Sequence, residues 1–358
     1  MRVLVIGGTR FVGRAIVSRI IREGHEVTLL NRGLTPDPFG TSVRRILGDR
    51  RNHETFRRAA AQRDHDAVID ITAYQEAETA SAIAAFAGRT GHFIHISTAA
   101  VYLIRDKLQA PFREDDLAGR LTPRASGTQA AWHYAYRKRR CEESLRHAWE
   151  TRRFPFTALR LPIVVGPHDY TRRTDAYLER LIQPGPLLLP EGGLNSWGFL
   201  WVDDIAEVVA SNLGNQTAHG RAYNLAQREA LSLRQLVELA AECLGCEAQV
   251  LSMPTAWLDS IGLGTTFSPY SHDRDLLLDC RRAAEELLFE PTSPEQWVPA
   301  LVDDFQARWD GVPRAFANTR AFELSLAKAL GNIHLPTYIA EAKPVKASST
   351  WDGKRGRR

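Results

Sequence analysis

The chain has 358 residues, is 44% hydrophobic and 25% charged, and carries a formal net charge of +4, a profile that argues for a folded globular protein and against disorder. No apolar run approaches the roughly 20 residues that span a bilayer, and Met1-Arg2 leads straight into Val3-Leu4-Val5-Ile6 with no signal-type segment. A cytoplasmic protein without a membrane partner is therefore expected, and four cysteines are too few for a disulfide framework.

In chain order, short β-branched runs alternate with segments of helical period. Strands are expected over 3–6, 27–30, 43–47, 67–71, 93–97 and 157–161, and helices over 11–22, 54–62, 76–87 and 132–149. Repeated βαβ units with continuous apolar strands imply a parallel sheet covered on both faces, an α/β fold of the Rossmann, doubly wound type. Beyond Pro162 the pattern loosens around Pro167, Pro184, Pro186 and Pro190. Helices are expected there over 205–213, 233–244, 281–288 and 294–309, with a strand over 222–225. Cys243-Leu244-Gly245-Cys246 has metal-type spacing but no further ligands nearby, since His219 and His272 are isolated, so it reads as helix-end packing.

An amphipathic segment over 314–330, with Phe316, Phe322, Leu326 and Leu330 as its apolar positions, is expected to pack against the body. From Lys343 onward six bases meet one acid, a net +5 that leaves the rest of the chain at −1. That tail reads as a solvated end; nucleic acid is not favoured as a partner. The division expected is 1–165 for a dinucleotide-binding core, 166–310 for a smaller substrate-facing region interleaved with late elements of that core, 311–340 for a helical extension and 341–358 for the basic tail.

After the first strand comes Gly7-Gly8-Thr9-Arg10-Phe11-Val12-Gly13, followed by a helix. Residues without Cβ let backbone N–H groups approach a pyrophosphate at the helix N-terminus. The second strand ends at Asn31-Arg32, where an NAD site usually carries an acid that accepts from the ribose hydroxyls. With Asn31 in that place, and with Arg32 and Arg10 able to reach a 2′-phosphate, NADP(H) is favoured over NAD(H).

The glycine turn and Tyr134-Ala135-Tyr136-Arg137-Lys138 resemble the short-chain dehydrogenase/reductase superfamily, and the segment Leu159-Arg160-Leu161-Pro162-Ile163-Val164-Val165-Gly166-Pro167 resembles its extended, epimerase/dehydratase-like branch. The resemblance covers roughly residues 1–300. The turn together with Asn31-Arg32-Gly33 looks most like atypical members, including relatives of the chloroplast stem-loop-binding proteins. One family glycine is replaced, by Arg10 or Phe11. The resemblance implies an adenine contact for Asp49, nicotinamide-ribose contacts for Ile71, Thr72 and Ala73, and further cofactor contacts for Ser97, Pro162 and Ile163. Homodimers are common in such a family.

Hydride transfer at a carbon bearing oxygen needs a partner that moves a proton on that oxygen, and a phenol serves if its pKa falls toward neutrality. A lysine one helical turn away lies on the same face and supplies positive charge; Tyr134 and Lys138 have that spacing. In the extended pattern the assisting hydroxyl lies three residues before a Val-Tyr pair, which selects Thr98, with Ser97 beside it and Val101-Tyr102 following.

Two departures bear on the reaction. Dehydratases of the family place an Asp-Glu pair after the catalytic hydroxyl; here stand Ala99-Ala100. Nucleotide-sugar epimerases hold a diphosphate with an Asn and an Arg, and Ile163 and Trp197 occupy those positions, with Arg172 and Arg173 able to compensate from a loop. The reading is an NADP(H)-dependent oxidoreductase acting between a carbonyl and a secondary alcohol of a small molecule. Thr98, His168, Arg172 and Trp197 are its candidate substrate contacts, and the aromatics Phe199 and Trp201 line the site or form core. The alternatives are an epimerase of a sugar-like substrate, oxidised transiently by bound NAD(P), and a non-catalytic or RNA-associated protein that keeps the fold.

Overall fold

A computed structural model describes residues 1–331 except 62–63, 124–128, 261–267, 271–273 and 316. The basic tail, His272 and Phe316 lie outside the described residues, as does the side chain of Leu330.

The first half of the chain contains β1 (Arg2–Ile6), α1 (Phe11–Arg22), β2 (Glu26–Asn31), β3 (Val43–Leu47), α2 (His53–Ala60), β4 (Ala67–Asp70), α3 (Glu76–Phe86), β5 (His92–Thr98), α4 (Ala100–Leu103), α5 (Gln129–Arg152) and β6 (Phe156–Leu161). Then come β7 (Ile163–Val165), α6 (Asp175–Leu181), β8 (Leu187–Pro190), β9 (Ser196–Trp197), β10 (Phe199–Trp201), α7 (Val202–Ser211), β11 (Arg221–Asn224), β12 (Leu231–Ser232), α8 (Leu233–Leu244), β13 (Val250–Met253) and α9 (Thr255–Ser260). The last helices are α10 (Arg281–Leu287), α11 (Pro294–Arg308) and α12 (Ala317–Gly331).

Seven parallel strands form the central sheet in the order β11-β6-β5-β4-β1-β2-β3. The chain runs outward from β1 to β3, then returns to β4 on the other side of β1. Strand order therefore reverses between β1 and β4, and in open α/β sheets ligands bind in the crevice at the carboxyl ends of the strands flanking that reversal.

Both sheet faces are covered, so the strands are apolar throughout rather than alternating. Val3 and Val5 of β1 face a layer holding Ile16, Val17 and Ile20 of α1 with Ile205, Val208 and Val209 of α7. Leu4 and Ile6 face the opposite layer, with Phe56, Phe86, Phe93, Leu145 and Phe154. The spacing of Ile16 and Ile20 along α1 puts both on the buried face, and each fully buried side chain stabilises the fold by about 1.5–3 kcal/mol.

A second core lies beyond β6, built from Tyr102, Phe112, Trp197, Phe199, Trp201, Trp297 and Phe305 around α8 and α11. The late elements do not stay there: β11 pairs with β6, and α7 packs on α1. At the end of α8, Gly245 adopts φ 68° and its N–H bonds back to Glu242, so the expected helix end falls within the Cys243–Cys246 segment.

The last helix packs against the body as expected, with Leu326 against Ala176, Leu188, Met253 and Leu258. Phe322 is half exposed, and α12 is also held by charge: Glu323, fully buried, accepts from Arg180 Nη1 and from Leu188 N, both at 2.8 Å, and from Arg320 Nη1 at 2.5 Å. A buried carboxylate with three donors fixes a helix that its apolar stripe alone would hold loosely.

Candidate functional site

At the carboxyl ends of β1, β4 and β5 lies a cleft of about 600 Å³. Its floor is the glycine turn. Gly7 and Gly8 take φ 104° and 91°, and a Cβ on Gly13 would stand 2.8 Å from Gly8 Cα, so the first turn of α1 lies directly against the strand end only because both positions lack side chains. A Cβ on Gly7 would stand 2.8 Å from Thr72 Cγ2, closing the gap between the ends of β1 and β4. Phe11, Val12 and Gly13 line the cleft, and no side chain caps the helix at Arg10. This is the open helix N-terminus that a pyrophosphate needs. Phe11 takes φ 37°, which locates the replaced family glycine there, with the phenyl group buried beneath the turn.

At the β2 end, Asn31 Oδ1 accepts from Gly33 N at 2.8 Å and Asn31 Nδ2 donates to Gly7 O at 3.4 Å. Asn31 thus braces the turn, and Arg32, exposed on the cleft wall, is the side chain left to meet an anion. Asp49 also lines the wall, but Arg51 Nη2 binds it at 2.9 Å, and that guanidinium holds its carboxyl at a pKa of about 2.

Deeper in, Arg50 and Asp70 form a buried bidentate pair, 2.5 and 3.0 Å, with Arg50 Nη1 also 3.2 Å from Thr72 Oγ1. Asp70 Oδ1 accepts from Thr72 N at 3.2 Å, so this pair shapes the loop of Ile71, Thr72 and Ala73. Sequence reasoning missed it, because the partners are 20 residues apart and meet only when the segment after β3 folds back across the sheet to the end of β4.

Lys138, buried on α5, donates to the carbonyls of Ala73 at 2.9 Å and Ile96 at 2.7 Å, with His95 Nε2 at 3.5 Å. Burial pushes its ammonium below the usual lysine value. One turn before it, Tyr134 lines the same cleft as Thr98. Burial raises the Tyr134 phenol, opposed by the Thr98 hydroxyl and the charge of Arg173. Ser97 donates to Glu142, which Arg160 holds from the other side at 2.6 Å, so Ser97 is anchored behind Thr98.

The cleft thus gathers Gly7 through Gly13, Asn31, Arg32, Asp49, Ile71, Thr72, Ser97, Thr98, Tyr134, Lys138 and Pro162. Ala73 contributes its carbonyl from behind the wall. The remaining candidates lie elsewhere. Ile163 and Trp197 are buried in the second core with Phe199 and Trp201, because β9 and β10 pair with β12 and β7. Arg172 is spent on Asp175 and Glu179, and His168 is exposed with φ 65° on the loop after β7. Tyr74 lines the cleft unforeseen, its ring 6.5 Å from that of Tyr134 and 5.7 Å from Lys138 Nζ; Tyr170, two residues after the candidate His168, also lines it and lies under the Arg10 guanidinium at 5.1 Å. Tyr74 directly follows the Ile71-Thr72-Ala73 loop, a signal that could have included it.

A doubly wound parallel sheet with a glycine turn at its switch point defines the Rossmann class of dinucleotide-binding folds. The chain belongs to the NAD dependent epimerase/dehydratase family, whose model matches residues 3–226. It is 27% identical over 261 residues to the 2'-dehydrokanamycin reductase of Streptomyces kanamyceticus, covering 72% of this chain and 70% of that protein. It is 25% identical over 257 residues to the chloroplast stem-loop binding protein of 41 kDa b of Arabidopsis thaliana, covering 68% of this chain and 63% of that one. Among solved structures, dTDP-glucose 4,6-dehydratase from Bacillus anthracis, in complex with NAD, shares the fold with a TM-score of 0.69 at 17% identity, over 86% of this chain and 97% of that one. UDP-glucose 4-epimerase from Thermotoga maritima does so equally, at 18% identity over 86% and 99%.

Proposed function

We propose that this protein is an NADP(H)-dependent oxidoreductase that interconverts a carbonyl and a secondary alcohol of a small molecule. The observation that carries the reading is the gathering of Tyr134, Thr98 and Lys138 in one cleft whose floor is built for a dinucleotide. The bound dinucleotide would supply the hydride. The residues Gly7 to Gly13 would hold its pyrophosphate, the loop of Ile71, Thr72 and Ala73 with Lys138 its nicotinamide ribose, and Arg32 its 2′-phosphate, since Asn31 stands where an NAD site carries an acid.

In the reducing direction Tyr134 Oη delivers its proton to the carbonyl oxygen while Thr98 Oγ1 donates a hydrogen bond to the same atom. The cationic ammonium of Lys138 favours the phenolate that results, and Tyr134 is reprotonated from solvent at its exposed edge. Reduction is favoured over dehydration by Ala99-Ala100, which offer neither acid nor base, and over diphosphate-sugar epimerisation by the burial of Ile163 and Trp197. The name of the Streptomyces kanamyceticus relative agrees with a reductase.

Mass spectrometry of the native protein for co-purified nucleotide, followed by a carbonyl panel read by NADPH absorbance, tests the reading. Steady NADPH consumption that Tyr134→Phe removes is the expected result. Turnover of a sugar-like substrate with retained cofactor would replace it with an epimerase, and an unchanged function in Tyr134→Phe with a binding protein.

A further inference from the structure

The loop between β4 and α3 carries Ile71, Thr72 and Ala73, and buried side chains hold it along its length. Asp70 Oδ1 accepts from Thr72 N at 3.2 Å, Arg50 Nη1 lies 3.2 Å from Thr72 Oγ1, and Lys138 Nζ donates to Ala73 O at 2.9 Å. Glu78, in the first turn of α3, accepts through Oε2 from Tyr74 N at 2.7 Å and from Gln75 N at 3.0 Å. One guanidinium joins these partners. Arg50 binds the Asp70 carboxylate through both terminal nitrogens, donates from Nη2 to Glu78 O at 3.1 Å, and has its Nε 3.8 Å from Glu78 Oε1.

Arg50 does not belong to that loop. It follows β3, between Asp49 and Arg51, and all three line the cleft on the side where the proposed function seats the adenosine. Its side chain is 9% exposed and its guanidinium lies 5.7 Å from the ring of the fully buried Phe56, so its reach from the β3 side to the β4 side is fixed. At the far side, Thr72 Cγ2 lies against Gly7, where an added Cβ would stand 2.8 Å away, and the Ala73 carbonyl holds Lys138, one helical turn from Tyr134. A shift of segment 49–51 is therefore passed through closely packed, hydrogen-bonded groups to Thr72, Ala73 and Lys138. A buried ion pair costs desolvation that an apolar pair of the same shape avoids, so stability alone gives no reason for it.

We propose that Arg50 is a positioning residue that couples the two ends of the cleft: seating the adenosine part of the dinucleotide beside Asp49 and Arg51 sets, through Arg50, the loop and the lysine that receive the nicotinamide part. Its effect on turnover rests on the oxidoreductase reading, whereas the coupling itself is a matter of binding. Binding energy from the half of the cofactor that does not react is thereby used at the half that does.

The test divides NADPH at its pyrophosphate into 2′,5′-ADP and reduced nicotinamide mononucleotide. The full chain is titrated calorimetrically with the mononucleotide, with and without saturating 2′,5′-ADP, and 5′-AMP serves as a second adenosine probe that carries no 2′-phosphate. In the wild type the adenosine fragment is expected to tighten the mononucleotide roughly 5–150-fold, the range of couplings between sites, and to raise its rate of use with a carbonyl. Arg50→Lys keeps the cation and loses the planar fork; it should bind each fragment alone and bring the factor close to one. Thr72→Val, which leaves the buried ion pair intact, should lose part of the factor. A residue that served the fold alone would lower the melting temperature on substitution and leave the factor where it was. No coupling in the wild type with either adenosine probe, binding of neither fragment included, or an undiminished factor in Arg50→Lys, overturns the proposal. If Arg50→Lys does not fold, Thr72→Val decides, and a factor equal to wild type overturns it. Coupling that depends on Arg50 without turnover of any carbonyl would sink the oxidoreductase reading and leave the coupling standing.

Discussion

Tyr134 and Lys138 lie four residues apart on α5, yet the fold assigns them different depths: the phenol reaches the cleft mouth while the ammonium is buried against the carbonyls of Ala73 and Ile96. Spacing predicted that they share a face. It did not predict that burial would raise the phenol, or that the Thr98 hydroxyl and Arg173 would be the groups opposing that rise. Under the proposed chemistry Tyr134→Phe should lower kcat by about 10²–10⁴ with dinucleotide affinity retained, a split read by steady-state kinetics and by quenching on NADPH binding. At the other end of the cleft, Arg32→Ala should weaken NADPH by about tenfold, the loss of one charge-assisted contact, and leave NADH unaffected. Equal loss for both cofactors would place the 2′-phosphate elsewhere. Arg32 and Tyr134 were legible because each stands at a fixed offset from a strand end or a partner; the pairing of Arg50 with Asp70 was not, because it joins residues 20 positions apart on different elements.

Among elements, the strands and helices of the first half follow their hydrophobic period closely, since a buried parallel strand needs apolar residues on both faces and an amphipathic helix only on one. The segment between β6 and β11 is different. Its strands are two to four residues long, too short for any period, and form only because β7 meets β10 and β9 meets β12 across the second core. Trp197 is therefore buried in the second core. The last helix docks through Leu326, as its apolar positions imply, and Glu323 adds an anchor that they do not. Removing that carboxylate leaves Arg180, itself buried, without its countercharge, so Glu323→Ala should destabilise the fold by about 3–5 kcal/mol in urea unfolding, while the exposed Phe322→Ala changes it little. A similar cost for the two variants would mean that the apolar face does the docking after all.

For the whole molecule, acid stability depends on histidines buried as neutral rings. His92 Nδ1 accepts from Gly214 N at 3.1 Å, so the ring proton sits on Nε2 and donates to Thr157 Oγ1 at 2.9 Å. Burial, with His219 nearby, holds its pKa down to about 3 from the usual 6.5. A depressed folded pKa means that the unfolded chain takes up a proton first, so this stabilisation is complete above about pH 6.5 and is lost as pH falls toward 3, at up to ~1.4 kcal/mol per pH unit. His95 acts with the same sign, its pKa pushed well down by burial and by Lys138. The melting temperature should consequently fall between pH 6.5 and 4, and His92→Gln should flatten that decline in part; a slope identical to wild type would remove His92 from the account.

The sequence by itself determined the sheet, its dinucleotide turn and the Tyr134–Lys138 helix, because these depend on local periodicity, on glycines whose neighbours are a few residues away, and on one helical turn. Only the tertiary structure decided which polar groups are spent and which are free. Arg172 and Arg173 are adjacent and chemically identical, yet the positions of Asp175 and Glu179 on α6 pair with the first while the second lies over the ring of Tyr270. Compensation of charge is a property of distances between elements, and no reading of a single segment contains it.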